Sequence, residues 1–289
     1  MAGYSLDGAP LEPTEEIMCL DIKIREKLGF DVRTVKFAQP YYLKNTPEDH
    51  LLRLVYTVNS DLSGLSCRLA IEDAARMKIT FNAIAVANTP IGYYVDRHID
   101  LVQLPPLRNG ENVLTVEMPF GVRTDIEPMY LLGDFGVDVK GRCVKITERP
   151  EKLSFGDVTK QGYPFYGGNI RYESMINNDC ECDLEIETSC FGGACVKVLL
   201  DGEERMIAYP PYRCTFDGVS KGRHKITYLL YGNRSNTFNS LHNLDTYMTD
   251  KLPYNGPAFW RAPENKFIYE YQLKPFGILK TPIIRKYSK

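Results

Sequence analysis

The chain has 289 residues, 44% hydrophobic and 25% charged, enough apolar side chain for packed cores and too much for a disordered polymer. Its 35 Lys and Arg against 37 Asp and Glu leave a formal charge of -2, so no overall field draws it to nucleic acid or an acidic membrane. The length suits one large domain or two ordinary ones, and no run approaches the roughly 18 apolar residues of a membrane helix.

The first residues, MAGYSLDGAPLEPTEE, have neither a basic start nor an apolar stretch, which predicts a cytoplasmic protein. From 17 to 29 the run IMCLDIKIREKLG reads as a short helix with a glycine cap, or as a strand leading into one. Residues 1–31 are therefore expected to be an N-terminal helical or extended segment. Beyond it the helical signal nearly vanishes. Short strand patterns follow at 32–38, 51–59, 67–72, 76–82, 98–104 and 112–118, separated by turn residues such as Asn88-Thr89-Pro90 and Asn109-Gly110. The second half repeats the style at 144–148, 168–177, 182–189, 195–201, 214–219 and 224–232. Strands at this spacing predict an all-β protein of two β-sandwiches, the first over 32–143 and the second over 144–289 with a C-terminal closing segment.

The two halves share a grammar. In the first, a strand turns at Asn82-Ala83, makes an excursion, and meets Asn109-Gly110 before a final strand. In the second, a strand turns at Asp201-Gly202 and meets Lys221-Gly222 before the corresponding strand. The Asn-Gly, Asp-Gly and Lys-Gly doublets suit positive backbone φ. The intervals differ, so the repeat is one of fold, not a tandem solenoid.

Eight cysteines fall far below the density of a secreted disulfide scaffold and are expected to be reduced. Cys180, Cys182, Cys190 and Cys195 lie close in sequence, but their spacing is not that of paired zinc ligands. Alternation through CECDLEIETSC would put Cys180, Cys182, Leu184, Ile186 and Thr188 on one face of a strand.

The strings KITFNAIAV (78–86), YYVDRHIDL (93–101) and LRNGENVLTVEMPF (107–120) resemble the jelly-roll, galactose-binding-like domains of family 2 and α-L-rhamnosidase-like bacterial glycoside hydrolases. So do KVLLDGEER (197–205), PPYRCTFDGVSKGRHKITY (210–228) and NRSNTFNSLHN (233–243) in the second half, with MYLLGDFGV (129–137) and YQLKPFGILKTPII (271–284) like joining or closing segments. The resemblance covers most of 32–284 and implies a sugar-binding or scaffolding β-sandwich pair. Such enzymes usually carry their acids on a separate (β/α)8 barrel of about 250 residues. Nothing in this chain alternates strands with helices as a barrel must.

Glycosidases usually need two carboxylates facing one bond, and the densest acidic cluster beside apolar sequence holds Asp125, Glu127 and Asp134. Carboxylates next to Pro128, Gly133 and Gly136 can equally cap turns or pair with arginine. The four histidines show no HExxH or HxH spacing and no nucleophile elbow. GYPFYGGN and CFGGAC lack phosphate-loop order. No metal or cofactor is expected.

Sugars present an apolar C–H face to aromatic rings and hydroxyls to polar side chains, so aromatic clusters with polar neighbours are the stronger candidates. Trp260 and Arg261 lie in NGPAFWRAPEN, Tyr94 precedes Asp96, and Tyr166 lies in QGYPFYGGN. His242 is flanked by asparagines in NSLHN. Each ring can alternatively pack over a sandwich edge. Two readings follow: a non-catalytic, carbohydrate-associated sandwich pair served by a catalytic module, a subunit or a second copy, or a self-contained glycosidase or lyase using Glu127 and Asp134. Neither nucleic acid nor membrane is an expected partner.

Overall fold

The structure, a computed structural model, describes residues 1–30, 46–124, 126–239, 241, 242, 244 and 267–287. The chain is mostly β, with 47% strand and 9% helix, and its sheets are overwhelmingly antiparallel, as the alternating patterns predict. It divides into two compact units, Met1–Arg149 with His242–Gln272, and Pro150–Leu241 with Leu273–Lys289. Among the described residues no helix is long and apolar enough to cross a membrane.

The first unit runs β1 (Ala2–Leu6), β2 (Glu12–Glu15), α1 (Ile17–Leu28), β3 (His50–Ser60), β4 (Arg68–Glu72), β5 (Lys78–Phe81) and β6 (Ile84–Val86). It continues with β7 (Gly92–Tyr94), β8 (Asp96–Gln103), β9 (Gly110–Phe120), β10 (Tyr130–Leu132), β11 (Gly136–Lys140) and β12 (Cys143–Thr147). The larger sheet has the order β11-β12-β3-β9-β5-β6, and the smaller one β10-β4-β8-β7. Leu52, Leu54, Val116 and Met118 from the first meet Leu69, Ile71 and Val102 from the second in one apolar core. Alternation on a half-buried strand produces such a layer by sending every second residue inward.

The N-terminal segment belongs to this sandwich instead of standing apart. Strand β1 pairs with β3 from Gly3↔Val55 to Leu6↔Leu52, and all five of its residues are buried. Helix α1 follows, with Leu20 and Ile24 in the core. Its first free amides are satisfied by the Glu16 carboxylate, which accepts from Met18 N at 2.8 Å and Cys19 N at 2.9 Å. Gly29 ends it at φ 68°, the left-handed cap that glycine adopts without Cβ strain. From α1 the fully buried Arg25 binds Asp21 at 3.0 Å and donates to the carbonyls of Val122 at 2.9 Å and Thr124 at 2.6 Å. One guanidinium thereby holds the turn that leads from β9 toward β10. The predicted strand at 32–38 and Asp125 lie outside the described residues.

The second unit contains β13 (Ile170–Asn178), β14 (Cys182–Glu187), β15 (Phe191–Gly192), β16 (Cys195–Leu200), β17 (Glu203–Ile207), β18 (Arg213–Val219), β19 (Gly222–Tyr231), β20 (Gly277–Ile278) and β21 (Ile283–Tyr287). Its four-stranded sheet, β13-β19-β16-β17, repeats the order of β3-β9-β5-β6, and the β14–β18 pair repeats β4–β8. The repeat extends to side chains. In the first unit Asn82, at φ 52°, accepts from Val113 N at 2.9 Å and donates to Asn112 at 2.9 Å. Asn112 in turn holds the carbonyl of Arg108. In the second, Asp201, at φ 49°, accepts from Lys225 N at 2.8 Å and meets His224 at 2.5 Å. His224 likewise reaches back four residues to the carbonyl of Ser220. The same turn is pinned by an Asn–Asn pair in one unit and an Asp–His pair in the other.

The eight cysteines are free thiols. Cys182, Leu184, Ile186 and Thr188 are buried as the alternation predicts. Cys180 is exposed, a correction to the expected five-residue face. The strand begins only at Cys182, and Cys180 lies on the turn after β13.

Candidate functional site

Tyr94 and Tyr130 come from the two outer strands of the smaller sheet, with β4 and β8 between them. Three strand spacings of about 4.8 Å separate those backbones by roughly 14 Å. Their ring centroids are only 5.7 Å apart, tilted at 50°, so both rings must lean inward across the sheet. Tyr130, Ala70, Leu101 and Gly92 form one transverse row of paired positions. The alternate positions Leu69 and Val102 fill the sandwich core, so this row lies on the sheet's other face. Ala70 and Leu101 are nevertheless 0% and 8% exposed.

Beside Tyr94 the register of β7 against β8 slips, and Val95 adopts φ 65°. A left-handed conformation is strained for a β-branched residue, and strand irregularities of this kind re-aim side chains at sheet edges.

Burial raises the Tyr130 phenol above its usual range, and the negative charges of Glu127, then Tyr94 and Glu72, push it the same way. The antiparallel register explains why both acids arrive together. Leu132 pairs with Arg68 and Tyr130 with Ala70, so the chain ahead of Tyr130, carrying Glu127, runs toward Glu72 at the far end of β4. Ile126, buried in the core beside Glu127, and the Arg25 clamp on residues 122 and 124 hold that approach. Arg68 lies on the same face at the opposite end of β4.

The other candidates are dispersed. Asp96 is exposed and accepts from both the backbone and the ring of His98 at 2.9 Å, contacts that lower its carboxyl from the ordinary value. Asp134 is 70% exposed and paired with Arg149 at 2.7 Å. Tyr166 donates to the carbonyl of Asn169 at 3.1 Å and packs edge-on to Tyr163 within the second unit. The His242 ring lies 4.7 Å from Tyr271 and bonds the carbonyl of Ile268, and burial depresses its pKa. Trp260 and Arg261 lie outside the described residues.

A surface concavity of about 320 Å³ is lined by Asn59, Asp61, Asn109, Asp138, Lys140 and Lys145, among others. Its charges already pair, Asp61 with Lys145 at 2.8 Å and Asp138 with Lys140 at 2.7 Å, and it contains no aromatic ring. Among the described residues no group of three or more His, Cys, Asp or Glu side chains is placed to hold a metal ion.

The structure thus brings Tyr94 against Tyr130, whose phenol feels the charges of Glu127 and Glu72. The string EPMYLL carried a local hint, since Tyr130 stands three residues after Glu127. The partnership with Tyr94 had none, because strand order creates it.

No family model matches the sequence, and no curated protein matches it. Among solved structures, a β-D-mannosidase from Dictyoglomus thermophilum aligns at 10% identity over 81% of this chain, with a TM-score of 0.32; the chain spans 30% of that enzyme's length. An anti-sigma factor domain-containing protein from Clostridium clariflavum aligns at 9% identity, over 65% of this chain and 76% of its own, with a TM-score of 0.22. A further anti-sigma factor domain-containing protein aligns at 13% identity, over 64% and 76% of the two chains, again with a TM-score of 0.22. Superpositions this loose assign the chain neither a family nor an activity.

Proposed function

We propose that this chain is a non-catalytic, carbohydrate-associated pair of β-sandwiches, with the Tyr94–Tyr130 face as its sugar contact. It would serve as the binding or scaffolding part of a glycoside hydrolase whose catalytic carboxylates another module or subunit supplies. The observation carrying this reading is the close pair of Tyr94 and Tyr130 rings, 5.7 Å apart, brought together from the two outer strands of the smaller sheet. A tyrosine ring face suits sugar C–H groups, and nearby carboxylates can accept hydrogen bonds from hydroxyls. The jelly-roll resemblance of the sequence supports the same assignment at the level of fold class.

Self-contained catalysis fits less well. Asp134 is committed to an exposed ion pair with Arg149, whereas a glycosidase pair must flank one bond at a defined separation.

An oligosaccharide array followed by calorimetric titration tests the proposal. Tyr94→Ala and Tyr130→Ala should each weaken binding of any captured glycan, by about tenfold if the lost contact is worth 1–2 kcal/mol. Aryl glycosides should not turn over. Binding that survives both substitutions, or turnover abolished by Glu127→Gln or Asp134→Asn, would replace this reading with the enzymatic one.

A further inference from the structure

In the four-stranded sheet of the second unit, β13-β19-β16-β17, strand β13 is an end strand nine residues long, against five for β17 at the other end. It pairs with β19 from Ile170↔Leu230 to Asn178↔Gly222 without a register shift, and its sequence, IRYESMINN, contains no proline. Among the described residues no strand pairs with its far side. Bulges, prolines and short length are common protections of such an edge, and β13 has none of the three. The direction of its backbone groups follows from the neighbouring strands. Asp201 N donates to the Lys225 carbonyl at 3.0 Å, so Lys225, Thr227 and Leu229 turn their backbone groups toward β16, and the alternate residues of β19 turn theirs toward β13. Through the register, Tyr172 and Ser174 bond β19, while Arg171, Glu173, Met175 and Asn177 direct N–H and C=O away from the sheet. Lys286 Nζ of β21 accordingly reaches the Asn177 carbonyl at 2.9 Å. The first unit shows what such a side can hold: β3, at the equivalent place beside β9, takes β1 antiparallel and β12 parallel there.

We propose that β13 pairs antiparallel with β13 of a second copy of this chain, with Tyr172 opposite itself. Charge selects both the occupant and the register. Arg171 and Glu173 project from the same face of the strand, their side chains 63% and 44% exposed, and Lys225 lies 3.0 Å from Glu173. A two-fold axis at Tyr172 sets Arg171 of each copy opposite Glu173 of the other. Each such pair exchanges both backbone hydrogen bonds, because both residues direct their groups outward. The exposed face then alternates in sign, from Lys225 to Glu173 to Arg171 of the second copy. Moving the axis one residue either way would face Arg171 with Arg171 or Glu173 with Glu173, and like charges directly opposite destabilise a strand pair. The pairing is isologous, so it uses the edge of both copies and closes at the dimer.

Sedimentation equilibrium of the full chain should show a weak monomer–dimer equilibrium, with a Kd of about 10 μM for an interface this small, and added salt should loosen it. Arg171→Glu and Glu173→Arg each create like-charged pairs across the axis, and each variant alone should raise Kd at least about tenfold. An equimolar mixture of the two variants sets acid against arginine at both positions and should restore the dimer. Circular dichroism and thermal melting of each variant should match wild type, since both positions are exposed. A wild-type chain that stays monomeric at about 100 μM, ten times the expected Kd, overturns the proposal. So does a dimer that survives either single substitution, or a mixture that remains monomeric.

Discussion

The Asp201–His224 pair should make the second unit pH-sensitive where the first, pinned by Asn82 and Asn112, is not. Both nitrogens of His224 face acceptors, Asp201 at 2.5 Å and the Ser220 carbonyl at 2.9 Å, so the imidazolium is the form that satisfies both. The hydrogen bond to Asp201 is the main cause of the raised His224 pKa, and the same bond most strongly depresses Asp201. The Asp201 contribution is present above its ordinary value of 3.8 and is lost as pH falls through the depressed pKa. The His224 contribution is complete below its ordinary value of 6.5 and fades as pH rises through the raised one. The pair is therefore fully stabilising between about pH 4 and 6.5.

A charge-assisted hydrogen bond contributes about 1.5–3 kcal/mol, but the Asp201 side chain is 51% exposed, and screening reduces the pH-dependent part to about 1 kcal/mol. Losing the bond to Lys225 N adds about 1 kcal/mol, as for a helix cap. Asp201→Ala should then cost about 2 kcal/mol at pH 5.5, or about 10 °C in Tm for a unit near 100 residues, and about 1 kcal/mol at pH 9. Asp201→Asn retains the backbone acceptor and should cost about 1 kcal/mol at pH 5.5 and almost nothing at pH 9. The double variant Asp201→Asn, His224→Asn recreates the pair of the first unit and should show no pH dependence from this site. Thermal unfolding followed by circular dichroism across pH 4–9 measures all four proteins. A cost for Asp201→Asn that is equal at pH 5.5 and pH 9 would refute the reasoning.

Two further substitutions probe the support of the ring face. Arg25→Leu strands Asp21 in the core and should cost about 3–5 kcal/mol, whereas Asp21→Leu, Arg25→Leu together should recover much of that loss; urea unfolding decides it, and a single variant as stable as wild type would show that the buried pair holds nothing. Ala70→Leu places a bulky side chain at a fully buried position beside its cross-strand neighbour Tyr130 and should cost about 1–3 kcal/mol. It should also reduce the near-ultraviolet tyrosine circular dichroism and move the Tyr130 phenol titration down toward ordinary tyrosine; unchanged spectra would mean that Tyr130 does not pack against residue 70.

What could be read locally was determined by the sequence itself. Period-two alternation produced strands such as Ile170–Asn178 and Gly222–Tyr231 because a strand's inward and outward faces are set residue by residue. Asn82, Asp201 and Gly202 carry positive φ because asparagine, aspartate and glycine tolerate that region. The Gly29 helix cap follows from the same backbone chemistry. The tertiary structure alone decided which strands became neighbours. Nothing near Ala2–Leu6 announces its pairing with Leu52–Val55, since a strand's own residues do not encode which edge it joins. Arg25 is one charge among several in the helix sequence, and only packing buries it and brings the carbonyls of residues 122 and 124 to accept its hydrogen bonds. Tyr94 and Tyr130 meet only because the order β10-β4-β8-β7 lays two small or apolar residues between them. A side chain's face is a local property, but its partner across a sheet is set by chain topology, which depends on the summed burial of the whole core.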